Sequence, residues 1–366
     1  MIRRASASTL LVTFCFILAA CGEDDGGGGN SIADEIAATG VGRYLGAIQP
    51  SGSRTNGAWT EYMYDKADAE AICYTGMPYQ VNIRPGTVNK VLLYLEGGGA
   101  CWNASNCFGP APLAKGSAGS APSVGILDPS LDDNPFADWN IVYAPYCDGS
   151  VFSGDNDVMY GNRLAYHHGV QNLSAALTQM LEAFPDPELI VVAGSSAGGY
   201  GTFTGYGVTR VAYPDTHILV FDDSGPGIQN HAAIEDMAQR DESWQFRQFI
   251  PETCTRCDEQ ITYLTEWSLE RDPDLRVAFF NYLQDGVLRF FLGLGADPFQ
   301  NLLLEVTDDL HSRQGERFQR FFPEGMTHTV LLSPEFFELE LEDTTVRDWT
   351  VGFLEGTPVW RDLVER

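Results

Sequence analysis

The chain alternates short apolar strands with helical stretches, which predicts a doubly wound α/β domain: a mostly parallel sheet flanked by helices, with its working site at the carboxyl ends of the strands. Three observations carry that expectation. ELIVVAG, residues 188–194, is an unbroken apolar run of the kind a strand shows when both its faces are covered. RLAYHHGVQNLSAALTQMLEAF, residues 163–184, spaces Val170, Leu173, Leu177 and Leu181 as one helix face. The strand pattern recurs in KVLLYLEGG (90–98), NIVYAPY (140–146), THILVFD (216–222) and LRVAFFNYL (275–283).

The amino-terminal segment lies outside this scheme. MIRRASASTLLVTFCFILAAC combines a basic start, an apolar core too short to cross a bilayer, and small residues before Cys21. Residues 1–20 therefore read as a secretory signal. Leu18-Ala19-Ala20-Cys21 further reads as a bacterial lipobox, with Cys21 lipidated and anchoring an exported protein to the cell envelope. GEDDGGGGNS follows as part of a flexible tether, taken as residues 21–35, and residues 36–366 are expected to form one catalytic domain.

The net charge is −28, and losing residues 1–20 removes two arginines and no acid, leaving −30. Such a surface repels nucleic acid and anionic headgroups, so no nucleic-acid partner is expected, and membrane contact is expected only through the lipid anchor. Cys73, Cys101, Cys107, Cys147, Cys254 and Cys257 remain after the leader. An even number in an exported chain argues for disulfides without saying which. Cys254-Thr-Arg-Cys257 reads as a structural loop closure rather than a redox motif, since no thioredoxin-like unit surrounds it.

The informative stretch is VVAGSSAGGYGTF, residues 191–203. Gly194-Ser195-Ser196-Ala197-Gly198 fits G-x-S-x-G with Ser196 at its centre, after a buried strand and before a helix expected over 199–211. A nucleophile on so sharp a turn needs small residues two positions away on each side. Ser195 fills the variable slot as a packing residue. An acyl-transfer nucleophile also needs donors for the developing oxyanion. Ala197 offers one backbone N–H, and the glycines of Glu96-Gly97-Gly98-Gly99-Ala100-Cys101, after the VLLYL strand, offer the others.

Of six histidines, His328 lies in a late loop between RFQRFF and VLLSPEFF, as the chain order Ser, Asp, His requires. His167, His168 and His217 belong to expected regular elements and read as structural. Asp285 in NYLQDGV, Asp222 and Asp223 all end strands and compete for the acid, with Asp285 preferred because its strand neighbours the histidine loop. The DDSG aspartates are expected to hydrogen-bond active-site backbone instead.

LEGGGACWN (95–103), NPFADWNIVYAPYCDGSVFSGD (134–155) and AGSSAGGYG (193–201), with DDSG (222–225) and MTHTVL (326–331), resemble the pectin acetylesterase and Notum family of carboxylesterases, in a bacterial member. The resemblance runs from about Cys73 to His328. It implies an α/β-hydrolase fold, a triad of Ser196, Asp285 and His328, and oxyanion donors at Gly98, Gly99 and Ala197, with neither a cofactor nor a metal. It also implies bridges Cys101–Cys107, Cys73–Cys147 and Cys254–Cys257. The sequence departs at Gly-Gly-Ala after the first two residues of the EGG block, where Notum carries aromatics, which weakens the carry-over at Gly99.

The substrate implied is an O-acyl ester, above all an acetyl ester, on a carbohydrate or a small molecule. Trp102, Trp139 and Tyr200 are candidates for stacking on sugar rings. DGVLRFFLGLGADPFQNLLLEV (285–306) reads first as a core helix and second as the wall of a lipophilic acyl pocket or a lid. Two competing readings keep the scaffold: an inactive lipoprotein that binds a glycan or partner, and an amidase or protease using the same serine.

Overall fold

A computed structural model describes residues 31–65 and 70–366. The expected signal segment, the lipidation site Cys21 and most of the tether lie outside the described residues. Helix α1 (Ile32–Ala38) already begins inside the stretch read as tether, capped by Ser31 and burying Ile36.

Fourteen strands follow in chain order: β1 (Gly52–Asn56), β2 (Trp59–Tyr64), β3 (Tyr79–Arg84), β4 (Lys90–Leu95), β5 (Asn140–Ala144), β6 (Asn156–Tyr160), β7 (Arg163–His167), β8 (Leu189–Ser195), β9 (His217–Asp223), β10 (Arg276–Phe280), β11 (Phe318–Phe322), β12 (Glu340–Leu341), β13 (Thr344–Thr345) and β14 (Leu363–Val364). The helices after α1 are α2 (Ala104–Phe108), α3 (Gly169–Ala183), α4 (Ala197–Ala212), α5 (Ile234–Trp244), α6 (Tyr263–Arg271), α7 (Gly286–Leu292), α8 (Ala296–Gln314), α9 (Glu335–Glu338) and α10 (Val346–Glu355).

Ten strands form one sheet in the order β1-β2-β3-β5-β4-β8-β9-β10-β11-β14. The first three pair antiparallel, and β3 meets β5 antiparallel. From β5 to β14 every neighbouring pair is parallel. This is the expected mostly parallel, helix-flanked sheet, an α/β-hydrolase-type fold. The apolar runs explain it through the two-residue period of a strand. On β4, Val91, Leu93 and Leu95 enter one core, with α3, α4, α6 and α8. Leu92 and Tyr94 enter the other, with α9, α10 and the segment from Ile126 to Trp139.

The helix expected over 163–184 begins only at Gly169. Residues 163–167 pair with β6 as a hairpin, and Ala165 and His167 are buried on alternate positions. Ala165 packs with Tyr74, Cys101 and Cys107, a tertiary contact that overrides the helical spacing. Likewise, 285–306 is two helices, interrupted by Gly293 in the left-handed conformation.

Among the described residues the disulfides are Cys73–Cys147, Cys101–Cys107 and Cys254–Cys257, the expected pairs. No described helix is long and apolar enough to cross a membrane.

Candidate active site

Strand β8 ends at Ser195, and the chain turns into α4 through Ser196, whose φ of 59° and ψ of −117° no unstrained L-residue adopts. The glycines two positions away make this turn possible. A Cβ on Gly194 would stand 2.2 Å from the Gly198 carbonyl oxygen, and one on Gly198 would stand 2.0 Å from that of Leu95. Ser195 and Ala197 are buried, whereas Ser196 is partly exposed. The backbone N–H of Ser196 donates to the Asp223 carbonyl at 2.8 Å. Ala197, as the first residue of α4, carries one of the helix's orphan N–H groups.

The Gly97–Gly99 loop lies directly against this turn. A Cβ on Gly97 would come within 3.0 Å of the Ser196 Cβ and 2.7 Å of the Ser195 carbonyl oxygen. Gly99 has φ of +77°, and a Cβ there would meet the Leu113 carbonyl at 1.9 Å. The Gly98 carbonyl accepts from Lys115 N at 2.8 Å, while no hydrogen bond among the described residues uses the N–H of Gly98 or Gly99. Glu96 braces the loop, accepting from Lys115 Nζ at 2.6 and 2.7 Å and from Tyr146 N at 2.9 Å.

Asp285 and His328 meet across 43 residues, with Asp285 Oδ2 2.7 Å from His328 Nδ1. Asp285 is fully buried, and its other oxygen caps α7, accepting from Val287 N and Leu288 N at 2.9 Å each. That hydrogen bond assigns the Nδ1–H tautomer, so Nε2 of the neutral ring carries a lone pair. Nε2 is shielded from solvent and has no hydrogen-bond partner among the described residues. Backbone bonds Gln284 N to Gly325 O and Gly286 N to Met326 O, both 3.0 Å, zip the acid loop to the histidine loop.

Asp222 and Asp223 occupy other places. Asp223 Oδ1 accepts from Val330 N at 2.9 Å and Oδ2 from Leu331 N at 3.0 Å, and Ser224 Oγ accepts from Thr329 N at 3.2 Å. Ser195 Oγ donates to Asp223 Oδ2 at 2.5 Å, with Tyr94 Oη 2.7 Å from the same serine. Asp223 thus ties the Ser196 turn to the histidine loop, and Ser195 is part of that tie rather than simple packing. Burial pushes the Asp223 carboxyl up to about 6 against the pull of its donors. Asp222 accepts from Gly225 N at 2.7 Å, its second oxygen is unpaired, and burial raises it well above the usual carboxylate range.

The remaining histidines near the strands are structural in geometry. His167 is buried, its ring nitrogens 3.0 Å from the Asp148 carbonyl and Tyr160 Oη, and burial lowers it to about 4. His168 contacts the Glu70 carbonyl, and His217 that of Asp274.

A cavity enclosing about 1260 Å³, open solvent at its mouth included, is lined by Gly99, Ser196 and Ala197, whereas Gly98, Asp285 and His328 are not among its wall residues. Its other walls are largely aromatic and aliphatic, with Trp102, Tyr200, Phe203, Trp244, Phe249 and Trp267 prominent. Leu288, Phe291 and Leu292 of α7 also line it, and Leu288 and Leu292 belong to the core as well, so α7 fits both readings of the 285–306 stretch. Trp102 and Tyr200 face the cavity, but Trp139 is buried against Phe136 elsewhere.

Sequence reasoning overlooked α5, which roofs this cavity. Trp102 Nε1 donates to Asp236 at 2.7 Å, Ser243 Oγ to the Trp102 carbonyl at 3.0 Å and Trp244 Nε1 to the Cys101 carbonyl at 2.8 Å. No local motif marks such a helix, because these partners lie more than 130 residues away.

The pectinacetylesterase family model matches residues 56–259, a segment that includes Gly97–Gly99, Ser196 and Asp223 and ends before Asp285 and His328. Pectin acetylesterase 4 of Arabidopsis thaliana is 33% identical over 121 residues, covering 31% of this chain and 30% of that protein. Palmitoleoyl-protein carboxylesterase NOTUM of Homo sapiens is 30% identical over 177 residues, covering 43% of this chain and 34% of that protein. The chain therefore aligns with about a third of the length of these relatives. With more than half of its residues under one family pattern, and that pattern holding the strained serine turn, the chain belongs to the pectinacetylesterase family.

Proposed function

We propose that the chain is a serine carboxylesterase hydrolysing an O-acyl ester through Ser196, His328 and Asp285. The observation that carries this reading is the Asp285–His328 pair at 2.7 Å, whose free Nε2 is unpartnered, in a fold that also strains Ser196 outward at a cavity wall. His328 Nε2 takes the Ser196 hydroxyl proton as Oγ attacks the ester carbonyl. The N–H groups of Ala197, Gly98 and Gly99 stabilise the oxyanion, worth about 3 kcal/mol per donor in comparable sites. The protonated imidazole then hands its proton to the leaving alcohol. Water, activated by the same Nε2, releases the acid. Asp285 holds the tautomer and balances the imidazolium charge.

The names of the relatives support acetyl esters of carbohydrate and longer acyl esters alike. An acetyl ester on a polysaccharide is the first reading. The apolar lining of the cavity favours a second, in which the acyl arm is longer than acetyl. Three disulfides support export, and Cys21 as lipid anchor completes a reading in which the protein works at the cell envelope. Fluorophosphonate labelling tests the chemistry directly. A label on Ser196, located by mass spectrometry and absent in His328→Ala, is the expected result. A folded protein labelled on no serine would instead be the inactive glycan- or partner-binding lipoprotein, while turnover of amides in preference to matched esters would identify an amidase.

A further inference from the structure

The cavity beside Ser196 has a charge pattern opposite to that of the molecule. The chain holds 50 acidic and 22 basic residues, yet no carboxylate lines the cavity among the described residues. Its one charged wall residue is Arg240, on α5. This guanidinium makes no ion pair and no hydrogen bond to any described residue, and its Nη2 is sealed from solvent without a partner. Among the buried arginines, Arg210 pairs with Asp272 at 2.6 Å and Arg320 with Asp308 and Asp362 at 2.7 Å each, whereas Arg84, which lies over the Trp59 ring and not in the cavity wall, also has no ion pair among the described residues.

The acidic neighbours of Arg240 on α5 make no ion pair with it, and Asp241 Oδ1 is itself buried without a partner. Asp236 accepts from Trp102 Nε1 at 2.7 Å, and Asp241 Oδ2 from Arg247 Nε at 2.5 Å. The guanidinium carbon lies 5.8 Å from the centre of the Trp244 ring, and Trp244 packs edge-on against Trp102. Arg240 is thus held among aromatic rings in the wall that follows the glycine loop. Burial lowers its pKa, and the charges of Asp241 and Asp236 nearby offset that only in part. An unpaired charge out of water is costly, and a ligand that supplies the missing anion recovers that cost.

We propose that Arg240 is a specificity residue that binds a single carboxylate carried on an apolar arm of the substrate, so that the preferred ester is a monoanion rather than a neutral ester or a polyanion. The planar fork of Arg matches a carboxylate with two parallel N–H bonds. The apolar walls take the arm that joins carboxylate to ester. The net charge of −28 opposes approach of a polyanionic strand, whereas one carboxylate reaching one partly buried guanidinium gains locally more than it loses at long range. The inference deepens the esterase reading and rests on it for the identity of the ligand as substrate, but the binding step is measurable without turnover.

The test is isothermal titration calorimetry of octanoate and octanamide, equal in chain length, against the full-length protein and Arg240→Met. The expected result is octanoate binding about tenfold or more tighter than octanamide in the wild type, with that preference lost in the variant. Arg240→Lys keeps the charge without the fork and should fall between them. Arg240→Gln replaces the methionine variant should circular dichroism show the latter unfolded. Equal affinities in the wild type, or binding of neither ligand, overturn the proposal. So does a preference that survives in Arg240→Met, because it places the carboxylate on the glycine loop. Fluorophosphonate labelling of Ser196 in the same samples reports on the esterase reading separately.

Discussion

The two halves of the proposed catalytic constellation are built by different means. The nucleophile half, from β4 to the start of α4, is set by steric exclusion within two short segments. Gly97, Gly194 and Gly198 stand where any Cβ would strike backbone, and the strained φ of Ser196 follows. The acid–base half, from β10 to Leu331, rests mainly on contacts with distant segments. Its histidine loop is held by N–H groups of residues 329–331 donating to Asp223 and Ser224, more than 100 residues earlier. All three disulfides also fall between Cys73 and Cys257, outside that second half. A short motif can announce the first construction. Only the folded chain assembles the second.

Six substitutions sharpen this contrast, taken from the largest expected effect. Ser196→Ala and His328→Ala should each lower kcat/KM for 4-nitrophenyl acetate by about ten-thousandfold or more, with the double variant no worse than either single one. Equal and non-additive losses would show that the two halves act as one unit. Activity retained above a tenth in either would remove that residue from the chemistry.

Gly198→Ala attacks the steric half alone. Its Cβ would sit 2.0 Å from the Leu95 carbonyl, so the turn must shift. A loss of roughly a hundredfold in kcat is expected, with about 1–3 kcal/mol of stability lost in urea unfolding. An unchanged kcat would mean that the turn tolerates the displacement the added Cβ forces.

Asp223→Ala attacks the tie between the halves. It strands the N–H groups of Val330 and Leu331 and should cost about 2–4 kcal/mol in the same unfolding assay. The rate of Ser196 labelling should also fall by roughly tenfold, as the histidine loop loses its anchor. Ser224→Ala, which strands only Thr329 N, is the milder control.

The smallest effect is that of Asp222→Asn. Burial raises the folded-state pKa of Asp222 above its ordinary value of 3.8. A group raised on folding contributes its stability below the unfolded pKa and loses it as pH rises through the folded one. Asparagine does not titrate, so the melting temperature of the variant relative to wild type should climb as pH rises above 4. A difference that is flat with pH would mean that Asp222 titrates as it does in the unfolded chain.

Much of the fold was legible because buried parallel strands are written as continuous apolar runs, and the glycines around Ser196 state a steric need in one line of sequence. The disulfide pairs followed from resemblance, not from spacing. The hairpin at 156–167 was hidden because its second strand leads directly into a helix whose apolar spacing extends the pattern backward. Tyr94 and Ser195 gave no signal, since a tyrosine and a serine in apolar strands read as packing. Arg240 gave none either, for an arginine on a polar helix ordinarily faces water.

By itself, the sequence determined the alternation of strands and helices, the turn at Ser196 and the glycine loop beside it, because each depends on residues within a few positions of one another. The tertiary structure alone decided which aspartate meets His328, how Asp223 fastens that loop to the nucleophile turn, and that a guanidinium without a partner faces an apolar cavity. Those are meetings between distant segments, and no local period or motif encodes the distance between two side chains that come together only when the sheet closes around them.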